Sequence, residues 1–212
     1  MNLEEYIGKW WNLFDKSILA DILNSLNKQY SASNINIFPD RHDIFKAFHK
    51  CKYDDCKVVM LGMAPYEQKN IATGILFANY SYNKNLSPSL KVIMEASGSK
   101  DQTLESWCNQ GILMLNAALS VQEGKPSSHL LLWRPFMNSF LKNLSKWESG
   151  IIYVLFGSDA KSFKHCINDK LNDVLEENHP AYYARQNKEM PSNVFNEINK
   201  LLINKYNQSI KW

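Results

Sequence analysis

The sequence has no long apolar run and no break in composition along its 212 residues. A membrane-spanning helix needs about 18–20 consecutive apolar residues, and no stretch approaches that length. The N-terminus has two early glutamates and no apolar stretch of signal-peptide form, so we expect a cytoplasmic protein without membrane contact. Repeats, low-complexity tracts and Pro/Gly/Ser-rich linkers are also missing. We therefore expect a monomer with one domain over 1–212, in which 1–36 forms a helical segment packed on the rest.

Cysteine is scarce and scattered. Four cysteines occur, at Cys51, Cys56, Cys108 and Cys166. None belongs to a CxxC pair, and their spacing fits neither a zinc site nor a disulfide framework. The histidines show no metal-ligand spacing either. We predict reduced thiols, no metal ion and no cofactor.

Charge of one sign is not in large excess, since 24 basic and 21 acidic residues leave a net charge of +3. That balance permits nucleic acid as a partner and excludes a strongly basic tail as the means of holding it. Aromatic residues, by contrast, are abundant at 12%, with six Trp and ten Tyr. Such residues either fill a core or stack on bases, and their positions decide between the two.

Four short apolar runs alternate with segments of helical periodicity. The runs lie at 58–61, 112–115, 151–156 and 174–175. The helical segments lie at 3–30, 44–48, 89–96, 104–109, 130–147, 159–167 and 192–206. Unbroken apolar strands separated by helices are typical of a parallel sheet that is buried on both faces. We predict an α/β fold with three αβα layers around a central four-stranded parallel sheet.

The chemistry of such a fold lies in the loops beyond the carboxyl ends of its strands. These loops begin at Gly62, Asn116, Gly157 and Asn178. They carry polar and aromatic groups that glycine and proline stiffen, and His179 follows the last strand directly. A lone histidine is more often structural than functional, but this one faces an asparagine from another strand end. The four loops therefore form the candidate site.

Short motifs follow one another through these loops in a characteristic order. They are 62–67 (GMAPYE), 74–77 (GILF), 87–90 (SPSL), 110–116 (QGILMLN), 157–158 (GS) and 179–181 (HPA). In order and composition they resemble the uracil-DNA glycosylase family, from about Ile37 to the end of the chain. The resemblance implies the predicted fold, single- or double-stranded DNA as the partner, and an enzyme that flips a base out and hydrolyses its N-glycosidic bond.

The resemblance also implies roles for residues around the flipped base. Phe77 would stack on it, and Asn116 would pair with its edge through the side-chain amide. Tyr66 would stand against carbon 5 of the pyrimidine and exclude the methyl group of thymine. His179 would donate to the carbonyl oxygen at position 2, where negative charge grows as the base leaves. Met63 stands beside the base where the family has glutamine.

Other parts of the motifs imply contacts with the DNA backbone and the base stack. The expected DNA-binding residues are Ser87, Pro88, Ser89, Gly157, Ser158, Pro180, Ala181, Tyr182, Tyr183 and Arg185. Loop N–H groups and helix N-termini among them suit phosphate. The family's leucine wedge corresponds to Tyr183, preceded by Tyr182.

The catalytic carboxylate of the family is missing. The family's water-activating Asp corresponds to Ala64, whose methyl group can neither take up a proton nor balance a cationic sugar. Glu67, three residues along the same loop, is the candidate for a substitute carboxylate. Without a carboxylate, excision of plain uracil should be slower by ~10²–10⁴-fold.

Three functions remain open on these residues. The one we favour is a monofunctional DNA glycosylase for a modified or unusual pyrimidine, including a modified phage base in anti-phage defence. The pocket motifs hold no lysine, so no Schiff-base lyase step is expected. The second is a uracil-DNA glycosylase of base-excision repair that is inactivated at Ala64, by nature or by engineering. The third is a non-catalytic DNA-binding or processivity module that keeps the fold for its surface.

Overall fold

A computed structural model describes residues 2–32 and 34–212 of the chain. Its strands are β1 (Ile37–Phe38), β2 (Val58–Gly62), β3 (Ile112–Asn116), β4 (Val121–Gln122), β5 (Ile152–Phe156) and β6 (Asp173–Glu177). Four of them form one parallel sheet in the order β3-β2-β5-β6. These are the four apolar runs of the sequence, so the predicted four-stranded parallel sheet is confirmed.

Helices flank this sheet, in agreement with the predicted three-layer α/β fold. They are α1 (Leu3–Ile7), α2 (Lys16–Tyr30), α3 (Lys46–Lys50), α4 (Pro88–Ser97), α5 (Glu105–Cys108), α6 (Leu130–Trp147), α7 (Gly157–Lys161), α8 (Pro180–Gln186) and α9 (Asn193–Tyr206). Strands β2, β3 and β5 are buried along their whole length, because helices cover both of their faces. Strand β6 is an edge strand and is only partly buried.

Two of the predicted helical segments are interrupted. Segment 3–30 divides into α1, a 3-10 turn over Gly8–Leu13 and α2. Gly8 has a φ of 59°, and the side chain of Asp15 caps the first N–H groups of α2. Segment 159–167 is helical only to Lys161 and then forms a 3-10 turn over Lys164–Cys166.

Three short elements lie outside the sequence predictions. Strands β1 and β4 pair antiparallel with each other, apart from the main sheet. At two residues each, they are too short for an alternating pattern to show. Helix α8 follows His179 directly, in a segment that we had treated as a loop.

Aromatic packing joins the N-terminal helices to the rest of the core. Trp10 lies edge-on to Phe48 with ring centroids 5.8 Å apart, and its indole N–H donates to the carbonyl oxygen of Cys51 at 2.7 Å. Phe14 lies edge-on to Phe136 at 4.8 Å. Trp10 is fully buried, as expected of a core residue. The described part of segment 1–36 thus packs on the sheet domain; Met1 and Ser33 lie outside the described residues.

Within residues 2–32 and 34–212, no helix is long and apolar enough to cross a membrane. The same residues contain no group of three or more His, Cys, Asp or Glu side chains placed to hold a metal ion. All four cysteines are free thiols.

Candidate active site

The carboxyl ends of the four parallel strands meet at one edge of the sheet and bring the predicted loops together. Gly62 lies opposite Asn116 in the register of β2 and β3. Phe156 lies opposite Glu177 in the register of β5 and β6. As a result, the loop after β5 and the residues that follow β6 lie side by side.

Loop 63–67 is held by the chain that leaves β3. The backbone N–H of Ala118 donates to the carbonyl of Met63 at 3.0 Å. Further along, the N–H of Gly124 donates to the carbonyl of Glu67, also at 3.0 Å. Because both ends of the loop are hydrogen-bonded to the same neighbouring segment, the residues between them are presented in a defined position.

A small cavity of about 30 Å³ lies beneath this loop. Its lining includes five of the seven residues predicted to contact the base or to act in catalysis: Ala64, Tyr66, Phe77, Asn116 and His179. They come from three different strand ends and from the segment after the first loop. The structure therefore places the predicted base-binding residues around one cavity, with the exception of Met63.

Phe77 and Tyr66 form two walls of this cavity and support each other. The Tyr66 hydroxyl donates to the backbone carbonyl of Phe77 at 2.9 Å, which holds the phenol ring in place. The Phe77 ring lies edge-on to both Phe156 and His179, with centroids 5.4 Å apart in each case. Phe77 has a φ of 63°, which is uncommon for a residue with a side chain. These contacts offset that backbone strain.

The neutral ring of His179 has one proton, and its hydrogen bonds place this proton on Nε2. The residue caps helix α8, and its Nδ1 lies 3.2 Å from the backbone nitrogen of Ala181. A backbone N–H can only donate, so Nδ1 must accept. The proton is then on Nε2, which makes that atom a hydrogen-bond donor.

Burial, and secondarily the positive charge of Arg185, lower the pKa of His179 to about 4. The ring is therefore neutral at neutral pH. We expect an NMR titration of His179 to have its midpoint near pH 4, against ~6.5 for a free histidine. Because the unfolded chain takes up this proton at the higher pH, the group lowers the stability of the folded state as pH falls from ~6.5 towards 4. A midpoint near 6.5 in the folded protein would contradict the assignment.

Asn116 ends β3 and brings a buried amide to the cavity. The residue is 7% exposed and lines the cavity wall. Its side chain makes no hydrogen bond with the described residues. An amide offers a donor and an acceptor side by side, so it can pair with the N–H and C=O edge of a pyrimidine.

The loop after β5 approaches His179 so closely that Gly157 leaves no room for a side chain. An ideal Cβ on Gly157 would lie 2.9 Å from the Cβ of His179, and its φ is 83°. We expect Gly157→Ala to lower the free energy of unfolding by about 2–4 kcal/mol, through backbone strain and this clash together. Urea denaturation measures the change.

Gly98→Ala is the matched control for this substitution. Gly98 also has a positive φ, 77°, but an added Cβ would meet nothing within 4 Å. Gly98→Ala should lower the free energy of unfolding only by the backbone strain, about 1–2 kcal/mol. Equal decreases in the free energy of unfolding for Gly157→Ala and Gly98→Ala would show that the close approach of a side chain at position 157 to His179 is not destabilising.

A larger groove of about 610 Å³ adjoins the small cavity, and Ala64 and His179 border both. Residues predicted to bind DNA line it, among them Ser87, Pro88, Ser89, Ala181 and Arg185. Helix α4 begins there with Pro88. The Ser87 hydroxyl is buried and has no hydrogen-bond partner among the described residues. A helix N-terminus with an unpaired hydroxyl is well suited to hold a phosphate.

Three further predicted DNA-binding residues lie at the N-termini of helices α7 and α8. Gly157 and Ser158 begin helix α7, and Ser158 is exposed. Pro180 is buried as the first residue of α8. Met63 lines the groove and accepts a hydrogen bond from the Ser127 hydroxyl at 3.5 Å.

Ala64, the position at which the resemblance implies a water-activating Asp, lines both the groove and the cavity. Among the described residues that line the groove, Glu67 is the one carboxylate. Its Oε1 accepts a hydrogen bond from the Gln68 side chain at 2.6 Å. It borders the groove together with Ala64, while the walls of the small cavity carry no carboxylate in the part of the chain that the structure describes.

Tyr183, which the sequence resemblance makes the candidate wedge into DNA, is buried in this structure. Tyr183 is only 8% exposed, and its hydroxyl donates to Glu177 Oε1 at 2.8 Å. The segment after His179 forms a helix, and the helical turn directs this ring towards the core. Tyr182, the residue before it, is 41% exposed.

Two functional features were missed at the sequence level. The segment before Phe77 forms a wall of the cavity, through Ala72, Thr73 and Ile75. Gly74 is the residue that could have indicated this wall. A Cβ at this position would clash with the carbonyl oxygen of Asp43, so the glycine marks a close approach of two backbone segments. The second feature is the bond to Glu177, which depends on the direction of a helix that no periodicity indicated.

Comparison with known proteins identifies relatives over almost the whole chain. The family model described as "Uracil DNA glycosylase superfamily" matches residues 48–203. The chain is 34% identical over 207 residues to a uracil-DNA glycosylase of Borreliella burgdorferi (strain ZS7), a match that covers 94% of this chain and 92% of that protein. It is 34% identical over 223 residues to one of Mycoplasmopsis pulmonis (strain UAB CTIP), a match that covers 100% and 99%.

Solved structures share the fold at lower identity. A crystal structure of mimivirus uracil-DNA glycosylase matches with a TM-score of 0.78 and 20% identity, over 98% of this chain and 90% of that chain. The crystal structure of wild-type UNG from Nitratifractor salsuginis matches with a TM-score of 0.55 and 18% identity, over 84% and 82%. The fold that the sequence resemblance implied is thus confirmed.

Proposed function

The chain belongs to the uracil DNA glycosylase superfamily, and from that premise we propose that it removes uracil from DNA in base excision. It is accordingly a hydrolase of N-glycosyl bonds. The observation that supports uracil as the base is that Asn116, at the end of β3, and His179, two residues after β6, line one cavity together with Tyr66. Each of these side chains suits one edge of an unmodified uracil.

In this proposal the base is read by shape and by hydrogen bonds. Uracil leaves the duplex and stacks on Phe77, and its N3–H and O4 edge pairs with the amide of Asn116. Tyr66 stands at carbon 5, and the bond from its hydroxyl to the Phe77 carbonyl prevents the ring from turning away. A methyl group at carbon 5 would clash with the phenol, so thymine is excluded.

His179 then assists the departure of the base. As the N-glycosidic bond breaks, negative charge accumulates on the uracil and positive charge on the sugar. The Nε2–H of a neutral His179 donates to O2 of the leaving base, and a donor already in position needs no reorganisation during the reaction. The low pKa of His179 keeps its ring neutral, so it acts as a hydrogen-bond donor and not as a cation.

DNA is the partner in this proposal, and the groove is where its backbone would lie. The N-terminus of α4 with the unpaired Ser87 hydroxyl would hold one phosphate, and Arg185 would neutralise another. We further propose that the chain acts as a single domain, since its N-terminal helices share the core of the sheet.

The hypothesis of a modified pyrimidine draws no support from the cavity. Tyr66 lines the cavity with its hydroxyl bonded to the Phe77 carbonyl, and in the proposed pose a substituent on carbon 5 would meet this ring. Nothing in the described part of the site favours a phage base or a defensive role. We therefore propose that the absence of a carboxylate at Ala64 slows the excision of uracil and does not change the base that is excised. Glu67 is the candidate for a substitute carboxylate.

The experiment compares duplexes that carry uracil, thymine or 5-hydroxymethylcytosine at one position. With the chain in excess over DNA and with long incubation, alkaline cleavage reports abasic sites. We expect abasic sites at uracil alone. No cleavage at uracil, or faster cleavage at 5-hydroxymethylcytosine, would overturn the proposal.

A further inference from the structure

Glu177 ties the end of strand β6 to the second turn of helix α8, across the residue that bears the catalytic donor. Its Oε1 accepts the backbone N–H of Asn178 at 2.6 Å and the hydroxyl of Tyr183 at 2.8 Å. His179 lies between these two attachment points. Hydrogen bonds to a carboxylate are stronger than those between neutral groups, so this one side chain fixes the start of the helix firmly.

The direction of α8 follows from this attachment. Ala181, Ala184 and Arg185 line the groove, and they lie within one arc of the helix, since successive residues are turned by roughly 100°. Tyr183 lies on the opposite side, buried against the core. Tyr182 borders the arc next to Ala181 and Arg185, and its ring is exposed.

We propose that Glu177 is a positioning residue that anchors Tyr183 inward and thereby makes Tyr182 the ring that stacks on the bases of bound DNA. This inference rests on the proposed action on DNA. Every base has an aromatic face, so an exposed tyrosine beside a phosphate-binding groove can stack on whichever base adjoins the flipped nucleotide. Tyr183 has a structural role, because its ring is buried and its hydroxyl is hydrogen-bonded to Glu177.

The test measures binding to a duplex that contains a tetrahydrofuran abasic-site analogue, by fluorescence anisotropy. No bond is cleaved in this assay, so it does not depend on catalysis. Tyr182→Ala should weaken binding by about tenfold, and Tyr182→Phe, which keeps the ring, should bind as the unaltered chain does. Unchanged affinity of Tyr182→Ala would overturn the proposal.

The role of Glu177 is tested by coupling between substitutions. In a Glu177→Ala background the start of α8 loses this anchor and Tyr182 is held less firmly beside the groove, so Tyr182→Ala should weaken binding by less than about threefold there. Tyr183→Phe removes the same hydrogen bond from the other partner and should reproduce this coupling if Glu177→Ala fails to fold. Glu177→Gln retains an acceptor oxygen, so in that background Tyr182→Ala should again weaken DNA binding by the full factor of about ten. An equal cost of Tyr182→Ala in all backgrounds would show that Glu177 has no positioning role.

The outcomes separate this inference from the proposed function. Binding that depends on Tyr182 without any uracil excision would contradict the proposed function alone. Uracil excision with binding that is indifferent to Tyr182 would contradict the inference alone.

Discussion

Ala64→Asp should raise the rate of uracil excision by ~10²–10⁴-fold, the contribution that a positioned acid–base group typically makes. Ala64 lies where the groove meets the cavity, so a carboxylate there would face both the attacking water and the sugar. It would orient the water and stabilise the positive charge of the oxocarbenium-like sugar. The measurement is the single-turnover rate of abasic-site formation on a uracil duplex, with affinity for DNA recorded separately.

Two further variants make this result specific. Ala64→Asn has the same shape as the Asp variant without its charge, and it should give no increase. Glu67→Gln should slow the unaltered chain if Glu67 supplies a substitute carboxylate, and should have little effect once Asp is present at position 64. An Ala64→Asp protein that folds and binds DNA yet excises uracil no faster would show that the missing carboxylate does not limit the reaction.

His179→Ala should slow uracil excision by ~10²–10³-fold, as loss of one donor to a developing anion does in other enzymes. The effect should fall on the chemical step, because the Nε2–H interacts most strongly with O2 when the base carries charge. The affinity for uracil-containing DNA should change far less than the rate. Single-turnover kinetics beside equilibrium binding distinguish the two.

The cap that His179 provides for α8 requires its own control. Its Nδ1 accepts the N–H of Ala181, so an alanine variant loses a helix cap as well as a donor. His179→Asn keeps a capping side chain but cannot reach the base as the imidazole does. It should be more stable than the alanine variant and equally slow. Full activity in either variant would contradict the assigned role of His179.

The sheet, and the edge at which the candidate site residues meet, were predictable because their signals are local. Runs such as 58–61 and 112–115 are apolar throughout, which is the mark of strands covered on both faces. Parallel strands place their carboxyl ends at one edge, so Gly62, Asn116 and His179 had to be neighbours once the strands were recognised.

The orientation of Tyr182 and Tyr183 could not be predicted in the same way. Helix α8 has seven residues, too few to show an amphipathic pattern. Which tyrosine faces the core depends on Glu177, a residue of another element whose bond to Tyr183 forms only in the folded chain. Similarly, the pKa of His179 depends on burial that no spacing of residues reveals.

The most direct test of the account is the crystal structure of the unaltered chain with a duplex that contains 2′-deoxyuridine, which Ala64 should leave intact long enough to be trapped. We predict a uracil flipped into the cavity, with its edge within about 3 Å of the Asn116 amide and its O2 at the same distance from His179 Nε2. Tyr66 should lie against carbon 5. A uracil that stays stacked in the duplex, or that binds away from Asn116 and His179, would contradict the account.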